Sequence, residues 1–146
     1  VYEGEFQKAI EKINESLALK NDWEIPYFYR GVANQAKANF DEAILDYTKA
    51  LQFNDKMTDA YYNRAKIVLT RGDIKNPDIN KVIIDLEKAL ELDENFIDAL
   101  YAMAAAQKKI ENYEKAIEYL DRLLAIDSDA VNARALKKLI LQKYVK

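Results

Sequence analysis

The residues that ordinarily carry catalysis are missing from this chain. It has no His and no Cys, which removes the commonest general base, the thiolate nucleophile and the soft metal ligands. No Gly-rich loop is present to wrap a phosphate. Carboxylates are plentiful, but pairs such as Asp41/Glu42 and Glu114/Glu118 fall at exposed helix positions, where acids suit a helix N-terminus or a basic neighbour one turn away. Nothing has the spacing of an EF-hand loop. No cofactor, no metal site and no enzymatic activity are therefore expected. What remains is the chemistry of contact. Phe28, Tyr62 and Tyr101 stand in series at steps of 34 and 39, and aromatic rings supply large contact area at small entropy cost. Asn63 offers both an amide donor and a carbonyl acceptor, and Lys66 and Lys108 add cations.

Those steps belong to a repeat. Leu17, Leu51, Leu90 and Leu124 are separated by 34, 39 and 34 residues, and Ala9, Ala43 and Ala116 keep the same beat. The unit is clearest from Ile97 to Asp127. Apolar residues recur at helical spacing through Ile97–Ile110 and again through Tyr113–Leu124, with a tight polar turn at Glu111–Asn112. Two amphipathic helices in such a period are the mark of a stacked helical solenoid, in which each pair buries its apolar stripe against its neighbours. Three Gly and two Pro in 146 residues agree with long helices and short turns. A net charge of −3 and a pI near 5.1 provide no basic field for nucleic acid. No apolar run approaches the ~18 residues of a membrane span. With no signal peptide visible, a soluble, cytoplasmic setting is favoured without being fixed.

Taken in order, residues 1–22 supply only the second helix of a pair, with a turn at Gly4–Glu5 and a stripe of Phe6, Ala9, Ile10, Ile13 and Leu17. Either the first helix lies upstream or another chain covers this face, since exposed apolar stripes are disfavoured. Self-association through it is the expected route to a homo-oligomer. Residues 23–57 form a full pair, with Pro26 early in the first helix and a turn at Ala38–Asn39. Residues 58–96 form the next, opening on Thr58 as N-cap and lengthened by five residues near 74–78. There Asn76–Pro77 reads as a cap and first helical residue, and the insertion is either a tolerated loop or a binding loop. Residues 97–128 are a third pair. Residues 129–146 are a last helix, started by Ser128–Asp129 and basic throughout, with Arg134, Lys137, Lys138, Lys143 and Lys146 and no acid from residue 130 onward. Its polar side suits a capping helix, although a basic amphipathic helix also suits an anionic membrane or an acidic partner.

These offsets resemble the tetratricopeptide repeat. The large residue of the first helix is Tyr27, Tyr61 and Leu100, and the small residue four places on is Gly31, Ala65 and Ala104. Second helices open on Phe6, Phe40, Ile79 and Tyr113, followed three residues later by Ala9, Ala43, Val82 and Ala116. The proline that the family places near the repeat end is replaced by Asn21, Asp55, Glu94 and Ser128. The resemblance covers nearly the whole chain. It implies an all-α, right-handed superhelical solenoid of antiparallel helix pairs, forming one domain. It also implies a non-catalytic scaffold that binds a peptide or helix of a partner protein in a concave groove lined by first helices. The family's groove offsets fall on Ile25, Phe28, Tyr29, Val32 and Gln35; on Asp59, Tyr62, Asn63, Lys66 and Leu69; and on Asp98, Tyr101, Ala102, Ala105 and Lys108. Some members hold a C-terminal carboxylate with Lys, Arg and Asn at set groove positions. Here those positions hold Phe28, Val32, Asp59 and Asn63, then Tyr62, Lys66, Asp98 and Ala102, of which only Asn63 or Lys66 fits, so a clamp for a chaperone's C-terminal tail is not expected. An aromatic or aliphatic partner segment with a few polar contacts fits better. The same rings also suit packing on the next first helix, and the sequence leaves both uses open. A competing reading makes assembly through the first helix the function itself.

Overall fold

The computed structural model describes residues 2–19, 24–71 and 76–144, and the side chains of 3–15, 26–71 and 78–144. Among them are eight helices: α1 (Tyr2–Leu19), α2 (Glu24–Ala36), α3 (Phe40–Phe53), α4 (Thr58–Thr70), α5 (Asn76–Leu92), α6 (Ile97–Lys109), α7 (Tyr113–Ile126) and α8 (Val131–Lys143). No strand occurs among the described residues. The chain divides into two compact units, Val1–Ile67 and Val68–Lys146, and each has its own packing.

In the first unit α2 lies against both α1 and α3. The core is formed by Ala43, Tyr47 and Leu51 of α3 with Ala60 and Ile67 of α4, flanked by Phe28, Phe40, Ile44, Met57 and Tyr61. Ala43, Tyr47 and Leu51 recur at helical spacing on one side of α3, so one stripe serves both neighbours. Gly31 of α2 is buried opposite Tyr47, where an added Cβ would lie 2.8 Å from the ring's Cε1. The missing side chain lets the ring lie against the α2 backbone.

In the second unit α6 packs on α5 and α7, and α7 on α8. Ala99, Leu100, Met103, Ala104 and Ala106 of α6 are fully buried, as expected of a helix with apolar residues on most of its circumference. Leu86 and Ala89 of α5, Ala116, Leu120 and Leu123 of α7, and Ala133 and Ile140 of α8 are also fully buried. Gln107 of α6 is also buried, and its Oε1 has no hydrogen-bond partner. Gln107 stands in phase with Asn34, which donates to Asp46. In phase with Asp46 on the paired helix α7 is Tyr119, so within the α6/α7 pair a phenol stands where α3 has a carboxylate.

The two tight turns close in the same way. Ala38 and Glu111 take left-handed φ values of 62° and 63°. The N–H of Asn39 donates to the carbonyl of Asn34, and that of Asn112 to Gln107, one residue beyond the helical ladder. This is the Schellman closure, usually built on glycine. A side chain in that conformation costs about 1–2 kcal/mol. Second helices also end alike. Asn54, Asp93 and Asp127 each accept, through side-chain Oδ1, the N–H two residues on, making the Asx turn that short polar residues provide. That device stands one position before the residues that replace the family's proline.

Several local expectations are corrected. α1 runs through Gly4 and Glu5 without a turn; no atom lies within 4 Å of where a Gly4 Cβ would be, so no packing enforces a reversal. Thr58 is not a cap: the N–H groups of Ala60 and Tyr61 donate to the Met57 carbonyl, leaving Thr58 inside the helix. Ser128 and Asp129 also miss the cap of α8, which is Ala130 with no side-chain bond. The structure places the first helical residue of α5 at Asn76. Residues 72–75 and the side chains of 76 and 77 lie outside the described residues, so the expected cap and insertion there go undescribed.

Candidate functional site

In the first unit, the start of α4 lies beside α2. Phe28 and Tyr29 of α2, with Met57, Thr58 and Asp59 at the start of α4, line a cleft of about 350 Å³. The helical twist gives adjacent residues opposite roles. Phe28 is half-buried, tilted against Tyr47 with ring centres 5.7 Å apart, and the Tyr29 ring stands roughly perpendicular to it at 5.4 Å. Tyr29 itself is 58% exposed. Val32, one turn further on, is also exposed. The side chain of Ile25 lies outside the described residues.

The polar groove residues of this unit bond to one another through the core. The Tyr47 hydroxyl donates to Gln35 Oε1 at 2.6 Å and receives a longer bond, 3.4 Å, from Asn63 Nδ2. Asn63 and Gln35, expected to face a partner, are thus joined through a ring of the second helix. Burial pushes the Tyr47 phenol up to about 12, partly opposed by the bond from Asn63. The hydroxyl therefore stays neutral across the ordinary pH range. Tyr62 is half-buried, and Lys66 places its ammonium 5.9 Å from the Tyr62 ring centre, within cation–π range.

Behind this face is a charged network that the sequence reading did not find. Arg30 grips Asp46 with Nε 3.1 and 3.0 Å from the two carboxylate oxygens and Nη2 2.7 Å from Oδ1. Asn34 Nδ2 adds a bond at 3.0 Å, and Arg30 Nη1 also donates to Asn14 of α1. The hydrogen bonds to Asp46 raise the Arg30 pKa, against the downward pull of burial. A usable signal lay in the spacing. Asn14–Arg30, Tyr47–Asn63, Thr48–Arg64 and Asp121–Lys137 are all bonded pairs 16 residues apart, joining a second helix to the first helix that follows.

In the second unit Leu69, Tyr101 and Ala105 are half-buried. Lys108 turns toward the chain's own end: its ammonium lies 5.6 Å from the ring centre of Tyr144. Tyr144 in turn stacks on Tyr113 at 4.6 Å with the rings nearly parallel.

Residues 97–146 match the model for the Fis1 C-terminal tetratricopeptide repeat. Among solved structures, a crystal structure of MamA is similar over 95% of this chain and 78% of its own, with a TM-score of 0.87 at 19% identity. The first TPR of Spaghetti (RPAP3), solved bound to the HSP90 peptide SRMEEVD, matches over 82% of this chain and 90% of its own, with a TM-score of 0.73 at 20% identity. The Arabidopsis OM64 TPR domain matches over 82% and 95%, with a TM-score of 0.73 at 19% identity. The fold is that of stacked tetratricopeptide repeats. Comparison with curated proteins yields no match. At these identities the tetratricopeptide likeness establishes the fold, and the repeat's small-residue position gains a physical meaning at Gly31, where the Tyr47 ring fills the space. No described helix is long and apolar enough to cross a membrane.

Proposed function

We propose that this chain is a non-catalytic protein-interaction module that takes a peptide or helix of a partner on the face formed by its first helices. The α2/α4 cleft carries this reading: an apolar floor of Phe28 and Met57 beside an outward-facing Tyr29. The floor is held from behind, because Phe28 and Met57 pack against the core cluster. Such preorganisation lowers the cost of binding, and exposed aromatic residues beside packed ones have the character of interface anchors. Tyr62, Asn63 and Lys66 extend the face in the first unit, and Tyr101 and Ala105 are its proposed counterparts in the second. Alanine at Tyr29, Tyr62 or Tyr101 should weaken a recovered partner by about 2 kcal/mol at a true anchor, roughly thirtyfold. Helicity should be retained. Alanine at the 68% exposed Leu45 should change nothing. Equal partner recovery from all four variants would remove the proposal.

A second reading, assembly through α1, has one observation in its favour. Ala9, Ile10 and Ile13 are only half-buried, whereas Ala43 and Ala116, in phase with Ala9, are fully buried. Sedimentation at a constant 16.9 kDa across a wide concentration range would end that reading.

A further inference from the structure

Building on the interaction reading above, we infer that the α2/α4 cleft selects a cationic side chain, Arg or Lys, from the bound segment. Asp59 is the charged residue lining it. Asp59 is exposed and shares the lining of the cleft with the exposed Tyr29. A guanidinium or ammonium seated there meets the carboxylate on one side and an aromatic face on the other, and its alkyl stem runs along Phe28 and Met57. Ion pairing, cation–π attraction and stem burial then act on one side chain. A volume of about 350 Å³ is of the right order for a single long side chain.

Two of the nearby cations are engaged elsewhere. Arg30, the basic residue next to Tyr29 in sequence, is bonded to Asp46. Lys66 is seven residues beyond Asp59, about 10 Å along a helix, and lies over Tyr62. Asp59 also occupies the first turn of α4, where an acid offsets the positive end of the helix dipole; that local role alone would leave the cleft indifferent to ligand charge. An acidic ligand is opposed. A carboxylate placed here would face Asp59, and the Asn63 amide already donates to Tyr47.

The test uses two probes that differ at one position: acetyl-Ala-Leu-Ala-Arg-Ala-Leu-Ala-amide and its counterpart with Glu at the centre. Each is titrated into the full chain while the backbone amide signals of Tyr29, Thr58 and Asp59 are followed by NMR. The Arg probe should shift these signals and bind at least about threefold more tightly than the Glu probe, as expected for one exposed ion pair. Asp59→Asn should remove most of that preference, and Asp59→Lys should reverse it. Added salt should compress the difference. Equal binding of both probes at the cleft, or an order unchanged by Asp59→Lys, overturns charge selection while leaving the binding face standing. If neither probe moves the cleft signals, the selection and the cleft's role in binding both fall.

Discussion

Replacing Asp46 with alanine should cost the first unit about 3 kcal/mol, the lower end of what breaking a buried ion pair costs. The Asp46 side chain is 5% exposed, and it accepts from Arg30 and Asn34 together. Without it, the Asn34 amide is left buried and the guanidinium loses its counter-charge. Arg30 is 25% exposed, so water can partly reach it, which places the loss toward the lower end. The effect is a consequence of leaving partners behind, not a measure of what the pair adds. Replacing Asp46 and Arg30 together by leucine and methionine should therefore recover most of the loss. Urea unfolding followed by circular dichroism gives the difference, and amide exchange locates it. Protection should fall in α2 and α3 and persist in α6 and α7, because stacked repeats lean on their nearest neighbours. A loss below about 0.5 kcal/mol for Asp46→Ala would show that the network is only a surface contact.

That network also marks the boundary of what the sequence disclosed. Helices and their period were legible because stripes such as Ala43, Tyr47 and Leu51 recur every three or four residues, a pattern that depends on local geometry alone. Caps were less legible. Thr58, Ser128 and Asp129 have the chemistry of capping residues, yet Met57 and Ala130 hold the caps. At Met57 the reason is visible: its side chain packs on the core, so tertiary burial outweighs capping preference. The aromatic row was legible as spacing, but spacing does not say which way a ring turns. Phe28, proposed as an anchor, leans on Tyr47, and its neighbour Tyr29 presents the exposed ring. Gln35 and Asn63 have the right chemistry for a partner's backbone, but both bond to Tyr47 on another helix; the 16-residue spacing marks the Asn63 bond, and nothing in the sequence marks the one to Gln35.

The position of Tyr47 makes it the site of the largest expected effect. Tyr47→Ala should destabilise the first unit by about 3–5 kcal/mol, as large aromatic truncations in cores do. The ring is fully buried, and its loss also strands Gln35 and Asn63. Gly31→Ala tests the same contact from the other helix. Alanine is about 1 kcal/mol better than glycine inside a helix. Here its Cβ would sit 2.8 Å from Cε1 and 3.0 Å from Cδ1 of a ring that the core holds in place. Overpacking costs about 1–3 kcal/mol, so on balance the single substitution should destabilise or at best be neutral. In the Tyr47→Ala background the obstruction is gone, only the helix preference remains, and Gly31→Ala should become stabilising by up to about 1 kcal/mol. A coupling of one to a few kcal/mol between the two sites is the signature of direct contact. Strict additivity in a denaturation cycle would mean that the ring and the α2 backbone do not touch. The small residue of the first helix would then be there for some reason other than close approach.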